Sequence, residues 1–355
     1  MYRKLNQRAF SNTRSLKTRV AKIDNEIVRI RNSNDAWIST IGLEVHAQLL
    51  SKTKLFSRAS AAYGHAANSQ VSFFDAAIPG TLPVINKKAV DLATKAALAL
   101  NCRINPVSTF DRKHYFYADL PTGYQITQQR KAIANDGHLD FIVMKSPTVK
   151  ESYGKRASII QLQLEQDSGK SMHDDKSNQT LVDLNRCGSG LIEIVFGPDL
   201  FDGEDAAGLV KELSLVLQWL DICTCQMEEG ALRVDANVSV RPFGSDQLGV
   251  RTEVKNINSV RGLVNAIEFE VDRQIEILES GGLIENETRS YDGNSKTTVP
   301  MRDKEVKQDY RFMPEPNLPP LRLKDIDKVN LHPCTCLLFD PLKNCLSDQA
   351  TRTTK

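Results

Sequence analysis

The stretch TIGLEVHAQL (Thr40 to Leu49) sets Glu44, His46 and Gln48 on one side of an extended chain and Leu43, Val45 and Ala47 on the other. Other stretches repeat the pattern. LIEIVF places Glu193 alone between Ile192 and Ile194. IIQLQLE opposes Gln161, Gln163 and Glu165 to Ile160, Leu162 and Leu164. LRVDANVSV offers Arg233, Asp235, Asn237 and Ser239, and VRTEVKNI offers Arg251, Glu253 and Lys255. If these strands share a sheet, carboxylates, an imidazole and basic groups share its polar face. Carboxylates suit a hard divalent cation such as Mg2+, which takes oxygen ligands and bridges to nucleotide phosphates. Arg and Lys suit phosphate or carboxylate. The structural alternative is an open face laced with weak ion pairs, each contributing roughly 0–1 kcal/mol. Glu193 argues for function, because a carboxylate in an apolar run is costly to bury unless paired or metal-bound.

The elements that must position these residues are legible as periods. Residues 36–50, 159–165, 181–185, 191–196, 232–240 and 250–257 read as strands. Residues 86–100 read as a helix capped by Asn86, with Val90, Ala93, Ala97 and Leu98 as its apolar stripe. Residues 202–220 read as a second helix. A third opens at Asn258 or Ser259 and ends at Gly281-Gly282. Strands with one apolar and one polar face predict an antiparallel sheet with helices over the apolar face, an α+β class.

The 355 residues can bury a sizeable core, and a net charge of +2 excludes a blanket polyanion binder. No apolar run approaches the ~18 residues of a membrane span. Seven cysteines, with Cys223/Cys225 and Cys334/Cys336 in C-x-C pairs, read as reduced thiols rather than a disulfide framework or a zinc site. Residues 1–23 carry seven basic and no acidic residues, the composition of a mitochondrial leader. Residues 1–36 are therefore assigned to a leader or disordered segment. Ser168-Gly169-Lys170-Ser171 ends like a phosphate-binding loop, but Leu164 stands where that motif needs glycine, so a P-loop enzyme is not expected. Gly169 is expected in a turn, with Lys170 aimed at the polar face. No G-x-S-x-G and no cysteine–histidine pairing points to a hydrolase nucleophile.

IGLEVHAQL, AAIPGTLPVINKKAV, FDRKHYFYADLPTGYQITQ, LEQDSGKS, LVDLNR, LRVDANVSV, TEVKNINS and QDYRFMPEPNLPPL, in this order, resemble the B subunit of the Asp/Glu-tRNA(Asn/Gln) amidotransferases, in the form of its animal mitochondrial branch. The resemblance implies a catalytic domain, the cradle, over residues 37–326. It implies ATP and Mg2+ as cofactors and misacylated Glu-tRNA(Gln) as substrate in the mitochondrial matrix. It also implies two protein partners, an amidase (the A subunit) that frees ammonia from glutamine and a small clamp (the C subunit). By the family's motifs, Glu44, His46, Glu165 and Glu193 would be metal ligands, with Glu165 and Glu193 also catalytic; His46, an unusual ligand for magnesium, could instead orient a carboxylate or water. The residues themselves offer Lys170 and Arg233 as further catalytic groups and Arg251 and Lys255 as cofactor-binding groups for phosphate or carboxylate, with Tyr117 also assigned to the cofactor. Tyr115, Tyr117 and Tyr124 would either line the site near the tRNA 3′ end or serve as ordinary core aromatics. Gln163 and Gln166 stand where the family usually has His and Glu. Residues 327–355 look unrelated to the family, whose helical and tRNA-binding tail domains would follow. A non-catalytic assembly or tRNA-presenting role, and a stand-alone amidohydrolase, remain the rival readings.

Overall fold

The computed structural model describes residues 19–23, 26–30, 36–144, 152–174, 176–301 and 310–323. The chain begins with β1 (Arg19–Ile23), β2 (Glu26–Ile30) and β3 (Ala36–Gln48), followed by α1 (Lys87–Ala99). Then come β4 (Arg103–Ile104), β5 (Val107–Ser108), β6 (Asp111–His114), β7 (Tyr124–Thr127), β8 (Ala134–Met144) and β9 (Ser152–Gln166). The ribbon β10 (Lys170–Asp174) and β11 (Gln179–Asp183) precedes β12 (Gly190–Phe196) and α2 (Gly203–Trp219). β13 (Leu232–Pro242), β14 (Thr252–Ile257) and α3 (Val260–Glu279) follow. β15 (Thr288–Asp292), β16 (Thr297–Pro300), β17 (Arg311–Pro314) and β18 (Leu321–Arg322) close the described chain.

One large sheet runs in the order β16-β15-β14-β13-β3-β12-β9-β8-β4, with β2 added beside the start of β3 and β1 beside β2. Its pairings are antiparallel except β14 with β15. The fold is α+β, as the alternating strands predict. The helices pack against the apolar face, with α2 over β8 and α3 over β13 and β14. Register places Leu43, Val45 and Ala47 beside Ala236, Val234 and Leu232, and Ile192 beside Leu164. All of these are at most 1% exposed, and each of the Leu, Val and Ile side chains among them contributes about 1.5–3 kcal/mol by burial.

The helices begin where their caps say. Asn86 accepts from the Lys88 amide at 2.9 Å, Asp202 from Asp205 at 2.7 Å and Ser259 from Gly262 at 3.0 Å. Gly281, with φ of +79°, follows the end of α3.

Three sequence expectations shift. Residues 19–23 and 26–30, within the segment assigned to a leader or disordered stretch, form strands rather than irregular chain, and β2 pairs Val28 with Ile38 and Ile30 with Ala36. The strand at 181–185 is β11, two residues earlier, in a ribbon apart from the large sheet. Ile160 leaves the apolar face. Val195 pairs with Gln161 and Phe196 with Ile159, so Ile160 is an extra residue, a β-bulge, and it is exposed while Ile159 is buried. Opposite it in β8, Asp136 adopts φ of +54° and is exposed too, so the irregularity spans two strands while their mutual register holds.

Candidate active site on the polar face of the sheet

Antiparallel register fixes which side chains meet, because directly opposed residues share a face. His46 of β3 lies between Glu193 of β12 and Arg233 of β13. Glu193 faces Gln163 of β9, and Glu165 lies one pair further along. Ligand atoms of His46, Glu165 and Glu193 all lie within 4.8 Å of one another. Glu44 sits two residues from His46 on the same face, opposite Asp235, and accepts from Asn237 at 3.0 Å. It lies on the rim of the cluster, outside the three that converge.

A second, smaller sheet, in the order β17-β6-β7, meets this face. Thr127 of β7 donates to Glu165 at 2.9 Å, and Gln125 donates to the Gln166 carbonyl at 2.5 Å. Lys113 of β6 comes near Glu165 and Glu193 and stacks its ammonium over Tyr310 at 4.7 Å. The acidic pair is therefore enclosed, with Glu165 2% and Glu193 7% exposed.

Burial decides the protonation of this pair. Removal from water, followed by the nearby Glu193 charge, pushes Glu165 up to about 8, and its proton is shared in a hydrogen bond with Glu193. Burial also opposes charge on Glu193, but it is held below its ordinary value by His46, Lys113 and the bonds from Glu165 and Gln163. Burial pushes His46 itself down, toward the neutral imidazole, and Arg233 adds to this. A neutral His46 does little to hold Glu193 ionised, so Lys113 is the cation that matters. Lys113 keeps its own proton against burial through Glu165 and Glu193. Burial raises Glu44, helped by Glu193 and Glu253 and opposed by the Asn237 bond.

These residues fit a divalent cation. Two carboxylates and a neutral imidazole are a workable donor set. Three donor atoms within 4.8 Å of one another could close on one such cation after a small adjustment of the side chains. One proton now bridges two carboxylates where a cation would neutralise both. Gln163 constrains the fit, since its amide donates to one Glu193 oxygen and accepts from Gln161. The other Glu193 oxygen faces His46 Nε2 at 3.8 Å.

The basic residues divide. Arg233 projects beside His46 and pairs with the buried Asp167 at 2.9 Å. Burial opposes its charge, but Asp167 keeps it fully protonated. Lys255 bridges Asp235 at 3.2 Å and Glu253 at 3.1 Å, which hold its proton against burial. Arg251 is exposed, one residue before β14, and lies outside the cluster. Lys170, expected on the polar face, instead opens β10, exposed, in a cleft shared with Tyr117, Asp119, His173 and Arg186. Gly169 is set by close approach rather than by a turn. A Cβ there would lie 2.9 Å from the carbonyl oxygens of both Asp119 and Asp183. Tyr115 donates to Gln125 at 2.9 Å and meets Tyr117 and Tyr310 edge-on, while Tyr124 carries Arg112 over its ring at 4.2 Å.

Sequence periodicity missed Lys113, Thr127 and Asp167. The run DRKH in β6 reads as a charged loop, and Thr127 and Asp167 contribute only through partners far along the chain.

Residues 39–327 match the family model of the GatB/GatE catalytic domain. The chain belongs to this family. Relatives similar to this GatB/GatE domain include the B subunit of the mitochondrial glutamyl-tRNA(Gln) amidotransferase of Drosophila melanogaster, 61% identical over 297 residues. That match covers 84% of this chain and 56% of the relative. The Homo sapiens protein of the same name is 56% identical, with 84% and 53% covered. The B subunit of the aspartyl/glutamyl-tRNA(Asn/Gln) amidotransferase of Orientia tsutsugamushi is 47% identical, with 83% and 59% covered. The chain thus spans a little over half the length of the curated relatives it matches.

Proposed function

We propose that this GatB/GatE domain is the ATP-dependent catalytic part of the B subunit of a mitochondrial glutamyl-tRNA(Gln) amidotransferase. In the proposed reaction the side-chain carboxylate of Glu on misacylated tRNA(Gln) takes the γ-phosphoryl group of ATP. Ammonia from a partner amidase, in a complex clamped by a third, small protein, then displaces phosphate and leaves Gln-tRNA(Gln). The single observation that carries this reading is the convergence of His46, Glu165 and Glu193 on the enclosed polar face. The names of the relatives support the substrate and the mitochondrial setting.

His46, Glu165 and Glu193 would hold Mg2+, with Glu44 beside them to orient its water. When bound, Mg2+ supplies positive charge at the phosphate oxygens. The protein's own groups do the rest. Neutral His46 offers a ring nitrogen rather than a competing charge. Glu165 surrenders its shared proton, which turns the pair from a hydrogen-bonded acid into two carboxylates. Lys113 and Arg233, brought in from two different sheets, offer positive charge to the carboxylate or phosphate between them. Thr127 and Gln163 fix the carboxylate rotamers. No nucleophile is needed here, because the reacting carboxylate belongs to the substrate.

The test is single-turnover phosphate release from ATP in the presence of Glu-tRNA(Gln), with the chain in its complex. Release that requires Mg2+ and disappears in Glu193→Gln is expected. Release that is indifferent to Glu193, or deamidation without ATP, would overturn the reading.

A further inference from the structure

The leader-like composition at the amino end and the structure disagree about where the catalytic domain starts, and Arg29 settles the boundary. It lies within the segment assigned to the leader, yet its side chain is 2% exposed. Its guanidinium donates to both carboxylate oxygens of Glu268, at 2.6 and 3.0 Å. Glu268, in α3, also accepts the backbone N–H of Gly203, the first residue of α2, at 3.0 Å. One ion pair therefore joins β2 to the start of α2 and the middle of α3. The surroundings are acidic. Asp202, Asp272 and Glu268 all act on Arg29, and burial with nearby Asp205 pushes Asp202 up to about 6. Lys155 and Tyr153 are engaged with Asp205. Among the described residues, Arg29 is the cation that pairs with Glu268. Removing one partner of a buried ion pair is strongly destabilising, since the other charge stays behind unpaired.

We propose that residues 26–30 stay with the catalytic domain, and that hydrolytic removal of the leader falls on the amino side of Glu26, because Arg29 is the buried counter-charge of Glu268. The step is hydrolysis of one peptide bond by an endopeptidase. Water supplies the hydroxyl to the new carboxylate and the proton to the new amine, with no redox partner. A cut between residues 30 and 36 would uncover the edge of β3 at residues 36–38, which β2 covers. It would also strand the Glu268 carboxylate between two helices. The proposal rests on the mitochondrial reading for the existence of a cut, and on the ion pair alone for its position.

The experiment has two arms that separate those supports. The full-length chain is imported into isolated mitochondria, and the amino terminus of the product is read by mass spectrometry. A start at or before residue 26 is expected, and a start between 30 and 37 overturns the proposal. In the second arm the full chain carries Arg29→Met, Glu268→Gln or both, and thermal melting is followed. Arg29→Met is expected to lower Tm by roughly 5–10 °C. The double variant is expected to recover part of that loss, because the stranded charge is gone. An unchanged Tm in Arg29→Met, or a double variant as unstable as the sum of the singles, overturns it. If Arg29→Met does not fold, the double variant still decides. An uncut product would sink the leader reading while the melting arm still reads the place of β2 in the domain.

Discussion

Val45 and His46 are neighbours in β3, yet they live under opposite rules. Val45 joins a face where side chain after side chain is fully buried against helices, and its contribution is volume and apolar contact. His46 joins a face where two carboxylates are also buried, but where closeness opposes charge and one proton must be shared. The helix-covered face contributes stability. The face under the small sheet holds groups that folding alone would keep apart or leave in water. Protein sites that perform chemistry are commonly paid for in this way by stability gained elsewhere.

Alternate residues of one strand give the sharpest ways to break this contrast. The largest effect is expected from Glu193→Gln. Phosphate release should fall by about 10²–10³-fold or more, with a smaller loss of Tm than Ile194→Ala, because Gln keeps the volume but gives up the contacts with Lys113 and the Glu165 proton that hold the Glu193 charge. A variant that loses activity together with as much stability as Ile194→Ala would show that the two faces are not separable. Next in size is Ile194→Ala, one residue along and on the other face. Chemical denaturation should show a loss of about 2–5 kcal/mol from the cavity it leaves. A loss under about 1 kcal/mol would mean that the apolar face is loosely packed.

Smaller, and specific to the polar face, is a pH effect. Glu165 stands at about 8 instead of the ordinary carboxylate value, so folding favours its protonated form. The stability this brings is complete below the unfolded value near 4.5 and is lost as pH rises through about 8. Metal-free chain should therefore melt several degrees lower at pH 9 than at pH 6, relative to Glu165→Gln at the same two pH values. Divalent-cation affinity, read by calorimetry, should run the other way and tighten with pH up to about 8, because binding must displace that proton. Matching pH profiles for wild type and Glu165→Gln would remove the shared-proton account. The smallest effect is expected from Arg251→Ala. Stability should move by no more than about 0.5 kcal/mol, with phosphate release unchanged, whereas Arg233→Ala should raise the apparent KM. Equal effects at the two arginines would return Arg251 to the site.

What the sequence made legible follows from period and caps. Alternation in β3, β12 and β13 assigned both faces, so Glu44, His46, Glu193 and Arg233 could be named before any register was known. Asn86, Asp202 and Ser259 marked helix starts because a side-chain oxygen must meet orphan amides there. The rest depended on partners distant in sequence. Lys113 is silent in DRKH until β6 is laid over the large sheet. Lys170 was expected on the polar face beyond a turn at Gly169, but Gly169 serves a crowded backbone crossing that carries Lys170 away from the acidic pair. Arg29 was hidden at the end of a basic tract with the composition of a leader. Composition cannot separate one buried guanidinium from the basic residues that precede it.

The supernumerary residues Asp136 and Ile160 sit side by side on adjacent strands, and this has a genetic corollary. Deleting Ile160 alone would slide one half of β9 past β8 by a single step, and deleting Asp136 alone would do the reverse. Each lesion should be crippling, yet each should act as a second-site suppressor of the other, since losing both restores a common frame. Two wrongs there are expected to make an ordinary, unkinked pair of strands.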